Sequence, residues 1–203
     1  SSVLHVGRNE QALEFARANI DAWLAAGVDA IVINASGCGT TVKDYGAMFA
    51  NDPVWKERAE QVSKLARDVS EVMAEIGLAN VSAVDSGGPL TVAYHSACSM
   101  QHGQKVNEQP KKLLRDAGFV VKDVPEGHLC CGWAGTYQVL QPVLSRRLRD
   151  RKVSSIESVK PDIVAAGNFG CIGNIAGGTD LPVVHTVELL DWATGGPKPA
   201  ALP

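Results

Sequence analysis

The sequence predicts an α/β protein with a mostly parallel sheet, built as two pseudo-repeated units of parallel strands alternating with helices, its cysteines in loops at the strand ends. Three observations predict it. Short β-branched apolar runs alternate with longer segments of helical periodicity. Glycine-rich loops carrying cysteine follow the strand-like runs. The order helix, strand, Gly-Cys also occurs twice.

Asn9 to Leu24 has helical spacing, with Leu13, Ala16, Ile20 and Leu24 on one stripe and Gly27 as its stop. Asp29 to Asn34 reads as a buried strand. The loop Ser36-Gly37-Cys38-Gly39 follows, with Thr40 or Thr41 capping a short helix through Met48. From Asp52-Pro53 one helix is predicted to about Ile76, because Val62, Leu65, Val69, Val72 and Ile76 recur at three and four. Residues 77–89 are rich in Gly, Ser and small side chains and read as linker. The expected organisation is a first unit over 1–80, a linker over 81–89, a second unit over 90–195 and a mobile tail over 196–203.

Leu90 to His95 is the next strand and ends just before Cys98. A helix is predicted over Lys105 to Ala117, stopped by Gly118, then a strand over Phe119 to Val124. After Cys130-Cys131-Gly132 a long helical stretch runs to about Val159, with Pro142 in its first turn or at a kink. Asp162 to Ala166 is a strand, followed by the loop Gly167 to Cys171. Val183 to Thr186 and Val187 to Ala193 complete the pattern as strand and helix. Setting Cys38 over Cys171 places Ile31 and Val32 over Val164 and Ala165, and Gly37 over Gly170. A duplication is favoured because the cysteine recurs at the same place.

Composition narrows the function. With 203 residues, 45% hydrophobic and 20% charged, the chain is long enough and apolar enough for a packed core. A net charge of −3 argues against a nucleic-acid partner, which calls for a basic face. Apolar runs fall far short of the ~18–20 residues that span a bilayer. The opening residues do not read as a signal peptide, so a cytoplasmic setting is expected.

Five cysteines, an odd number, cannot all pair within one chain, which leaves metal or redox chemistry as the stronger reading. Loops after parallel strands converge at the carboxyl ends of the sheet, so Cys38, Cys98, Cys130, Cys131 and Cys171 are expected to meet there as metal ligands. Gly37, Gly132 and Gly170 beside them let backbone approach a bulky cofactor. No C-x-x-C occurs, so zinc-ribbon and thioredoxin patterns are absent. His95 and His102 flank Cys98 at ligand spacing, but read first as a strand-end and a helix-face histidine. The basic run from Arg146 to Lys152 reads first as a solvated helix face.

The stretches YHSACSMQHGQK (94–105), HLCCGWAGTY (128–137) and NFGCIGN (168–174) resemble the cysteine-rich CCG domain of the heterodisulfide reductases and their relatives. With NASGCGTTVKDYG (34–46) and ARANIDAW (16–23), the likeness is greatest to the C-terminal half of glycolate oxidase (glycolate dehydrogenase) iron–sulfur subunits. The resemblance implies two such units and a [4Fe-4S] cluster, non-cubane in the heterodisulfide reductases. It places Cys98, Cys130, Cys131 and Cys171 in the motif of the second unit, and Cys38 as the late cysteine of the first. The fuller motif ends in C-x-x-C, whereas Asn174 and Thr41 stand at those last positions here. One cluster, with Cys38 as a fifth ligand, is expected, and zinc is the alternative occupant. The implied role is an electron-transfer module with an FAD-containing subunit that oxidises a 2-hydroxy acid as partner. Electrons would pass toward a quinone or thiol acceptor, with peripheral contact at the inner face of the membrane. A thiol/disulfide reductase and a zinc-bound docking fragment are the other readings. The first unit's own adjacent-cysteine motif and a ferredoxin-like domain are expected to precede this chain.

Overall fold

The computed structural model describes residues 2–82 and 88–203. In chain order the elements are α1 (Ser2–His5), α2 (Asn9–Ala26), β1 (Ile31–Ile33), α3 (Ser36–Lys43), α4 (Tyr45–Met48), α5 (Lys56–Leu65), β2 (Ala66–Asp68) and α6 (Val69–Ile76). Then come β3 (Thr91–His95), a π-helical turn (Ser99–Gln104), α7 (Gln109–Asp116), β4 (Val120–Asp123), α8 (Tyr137–Leu140) and α9 (Pro142–Glu157). The last four are β5 (Ile163–Ala166), α10 (Phe169–Ala176), β6 (Val183–His185) and α11 (Thr186–Ala193). Most of the expected linker, residues 83–87, lies outside the described residues.

The strands among the described residues all pair in parallel. β1 pairs with β2, and a four-stranded sheet runs in the order β4-β3-β5-β6. Every residue of β5 is buried, as a strand covered on both faces should be. Side chains alternate across β3. Val92 and Tyr94 enter a core with Leu113, Leu114, Leu189 and Leu190. Ala93 enters the opposite core, with Met100, Ile156, Cys131 and Cys171. A third core, around Ile20, Tyr45, Phe49 and Val62, holds the N-terminal elements together. Leu202 of the tail packs on the first of these cores.

Three local expectations change. The helix predicted from 52 to 76 is broken by β2. Asp68 takes extended backbone (φ −66°, ψ 146°) and accepts from Ser70 N at 2.9 Å, while Glu71 accepts from Asp68 N at 2.8 Å. That capping box starts a new helix at Val69. β1 is shorter than predicted and only Ile31 is buried; Val32 is 51% exposed, because β1 has just one neighbouring strand. Cys38 and Cys171, expected in loops, lie in the first turns of α3 and α10. Asn168 draws the second loop into helix by accepting from Gly170 N at 2.9 Å and Cys171 N at 3.4 Å.

Candidate metal centre

In the sheet order, β4 lies on one side of β3 and β5 on the other, so consecutive crossovers part between β3 and β5. Ligands of open parallel sheets bind at the strands' carboxyl ends beside such a point. Cys98 follows β3 as the cap of the π-helical turn, and Cys171 follows β5. Cys130 and Cys131 come from the loop after β4. A cavity of about 670 Å³ is lined by all five cysteines, Cys38 included.

Cys98, Cys130, Cys131 and Cys171 lie side by side there and influence one another's protonation. Cys131 and Cys98 donate to Cys130, and Gly132 N donates to its Sγ at 3.3 Å. These donors hold the Cys130 thiol down to about 2 against the effect of burial. Cys131 and His95 beside it lower the Cys171 thiol to about 6 despite burial. The donors move the other way. Hydrogen bonding to Cys130 and Cys171, then burial, pushes Cys131 far up, and hydrogen bonding to Cys130, then burial, pushes Cys98 up. The pull is thus toward the charged form at Cys130 and Cys171 and toward the neutral thiol at Cys98 and Cys131.

The flanking glycines make room mainly for protein. A Cβ on Gly170 would lie 2.3 Å from the Trp133 indole nitrogen, and one on Gly132 would lie 2.3 Å from the Ser145 carbonyl oxygen. Gly132 also has φ +93°, which favours glycine. Gly37 lines the cavity itself, and a Cβ on it would lie 3.4 Å from the Asn168 amide nitrogen.

The structure adds residues that motif spacing did not select. His95 is fully buried, and its ring, Cys131 Sγ and Cys171 Sγ offer ligand atoms all within 4.8 Å of one another. The alternation of β3 could have found it, since His95 shares the face of Ala93 that buries Cys131 and Cys171. Lys152, expected on a solvated face, is 1% exposed and donates to the Glu126 carbonyl at 2.8 Å. Burial lowers its pKa, while Cys131, Glu126, Cys130 and Cys171 oppose that, so a cation sits near the thiols. Asn174 turns its amide to the Cys131 carbonyl at 2.7 Å. His185 is a capping residue: its Nδ1 accepts from Val187 N at 3.1 Å, and Nε2 donates to the Asn34 carbonyl at 2.8 Å.

Sulfur donors converging at one cavity, beside a buried imidazole and a buried lysine, fit a thiolate-held metal group. Residues 1–43 and 92–176 match the cysteine-rich domain family CCG, and the chain belongs to that family. Among curated relatives, it is 42% identical over 192 residues to the glycolate oxidase iron-sulfur subunit of Escherichia coli, covering 93% of this chain and 46% of that protein. It is 28% identical over 200 residues to the probable glycolate oxidase iron-sulfur subunit of Bacillus subtilis, covering 94% and 45%. With lactate utilization protein A of Geobacillus thermodenitrificans it shares 29% over 172 residues, covering 82% and 71%. The chain thus spans about half the length of the first two relatives. No helix among the described residues is long and apolar enough to cross a membrane.

Proposed function

We propose that the chain is the iron–sulfur electron-transfer part of a 2-hydroxy-acid-oxidising complex of the glycolate oxidase type. The observation that carries this is the cavity lined jointly by Cys38, Cys98, Cys130, Cys131 and Cys171. Cys98, Cys130, Cys131 and Cys171 would hold a [4Fe-4S] cluster, with Cys38 facing it from the first unit. Bound there, the cluster supplies one-electron exchange. The chain's own residues do the rest. Cys130 and Cys171 enter as thiolates, Lys152 offsets negative charge, and the Gly132 amide donates to sulfur. Electrons would come from an FAD subunit and leave toward a quinone or thiol acceptor at the inner face of the membrane. Phe169 and Val139 line the cavity and stay largely exposed, which suits a face that meets a redox partner.

The names of the relatives, iron-sulfur subunits among them, support the same class of role. The two units proposed over 1–80 and 90–195 gain support from pairing register. Ile31 pairs with Ala66 as Val164 pairs with Val183, and the capping box at Asp68–Glu71 has its counterpart at His185–Glu188. Anaerobic reconstitution followed by iron, sulfide and zinc analysis tests the proposal. Equal iron and acid-labile sulfide are expected; zinc without sulfide overturns it.

A further inference from the structure

We infer that His95 is a direct metal ligand of this centre, through an imidazole nitrogen. Three observations place it there. His95 is 1% exposed at the last position of β3, so it occupies one place relative to the sheet. Its Nε2 is buried with no hydrogen-bond partner among the described residues, a costly state for a ring nitrogen unless a group yet to bind completes it. Its ring also stands with Cys131 Sγ and Cys171 Sγ in one group, ligand atoms within 4.8 Å, close enough for one metal ion to be shared among them.

Asn174, three positions after Cys171, donates its amide N–H to the Cys131 carbonyl. Of the other histidines, His5 lines the cavity, while His185 is held by its capping bonds. A nitrogen in a sulfur-rich set makes the centre electronically asymmetric and raises its potential relative to an all-thiolate one.

The inference needs a metal at these thiols and not the particular iron–sulfur identity proposed above, so the two fail separately. Full chain labelled with 15N-histidine is reconstituted anaerobically with iron and sulfide, and pulsed EPR is recorded on the reduced protein. A strong hyperfine coupling is expected that changes from 14N to 15N on labelling, persists in H5A and disappears in H95A. If H95A does not fold, persistence in H5A, H102A, H128A and H185A assigns the nitrogen to His95. An intact signal without histidine nitrogen, or one lost in H5A, overturns the inference. Should sulfide not be retained, the cluster proposal fails, and X-ray absorption with cobalt(II) alone decides on His95. A nitrogen shell at about 2.0–2.1 Å beside sulfur supports it; sulfur alone overturns it. A chain that holds neither overturns both.

Discussion

Gly132→Ala perturbs the point where backbone, helix α9 and the Cys130 thiolate meet. Gly132 has φ +93°, a conformation that costs an L-residue about 1–2 kcal/mol. The new methyl would also sit 2.3 Å from the Ser145 carbonyl oxygen and 3.1 Å from the Asn174 amide. Neither neighbour yields easily. Ser145 is 2% exposed and its hydroxyl donates to the Gly132 carbonyl at 2.8 Å, while Asn174 holds Cys131. Overpacking of this kind costs about 1–3 kcal/mol. Together the two effects predict a loss of about 2–5 kcal/mol, read by urea denaturation at unchanged m value. Because Gly132 N donates to Cys130 Sγ, iron retention should fall as well. Gly135→Ala is the control. It carries the same kind of strain (φ +61°), but its nearest atom is the His5 ring at 3.6 Å, so about 1–2 kcal/mol is expected. The reasoning is refuted if Gly132→Ala lies within about 0.5 kcal/mol of wild type and loads iron fully.

Three more outcomes follow from the same site. In metal-free protein at pH 5, iodoacetamide should label Cys130 before Cys98, since Cys130 is held down to about 2 and Cys98 is pushed up; mass spectrometry after brief exposure reads this, and equal labelling contradicts it. Metal affinity should rise with pH, because Cys98 and Cys131 have raised pKa values and must each lose a proton to bind. Below both values the dependence approaches about 100-fold per pH unit, and a flat cobalt(II) titration between pH 6 and 8 would contradict it. Asp68→Ala should cost about 1–2 kcal/mol by removing the cap of α6, with iron content unchanged, since Asp68 is outside the cavity.

Much of this was legible in the sequence because the relevant signals are local. β3 and β5 are short, apolar and β-branched or small, and they sit in the middle of the four-stranded sheet where such residues are buried on both faces. Gly27 ends α2 in the left-handed conformation, as the glycine signal implies. The stretch 52–76 misled because helical spacing persists through a three-residue strand; the Asp68-x-x-Glu71 capping signature was the better guide. Lys152 was hidden for another reason. Its neighbours in sequence are solvated arginines, and only the packing of α9 against the loop at Glu126 buries it. His95 needed strand parity, which becomes informative once the buried face carrying Cys131 and Cys171 is known.

The helix that carries Cys38 is tied to the segments around Cys98 and Cys171 by polar bonds. Ser36, at the start of α3, donates its N–H to the Gly167 carbonyl at 3.1 Å, and its hydroxyl lies 2.8 Å from Ser99 Oγ and 2.9 Å from the Asn168 amide. Gln104 donates to the Ser36 carbonyl at 2.8 Å. Close packing makes these bonds possible. A Cβ on Gly39 would meet Gln104 at 2.7 Å, and one on Gly103 would meet Thr40 at 2.8 Å. Asn168 is the residue that caps the helix bearing Cys171, and Ser99 directly follows Cys98. This contact is therefore made by neighbours of Cys38, Cys98 and Cys171. Its bonds are polar, and they tie the helix that carries Cys38 to the segments that carry Cys98 and Cys171. The cavity that the five cysteines line is thus bordered by a polar contact between segments far apart in the sequence.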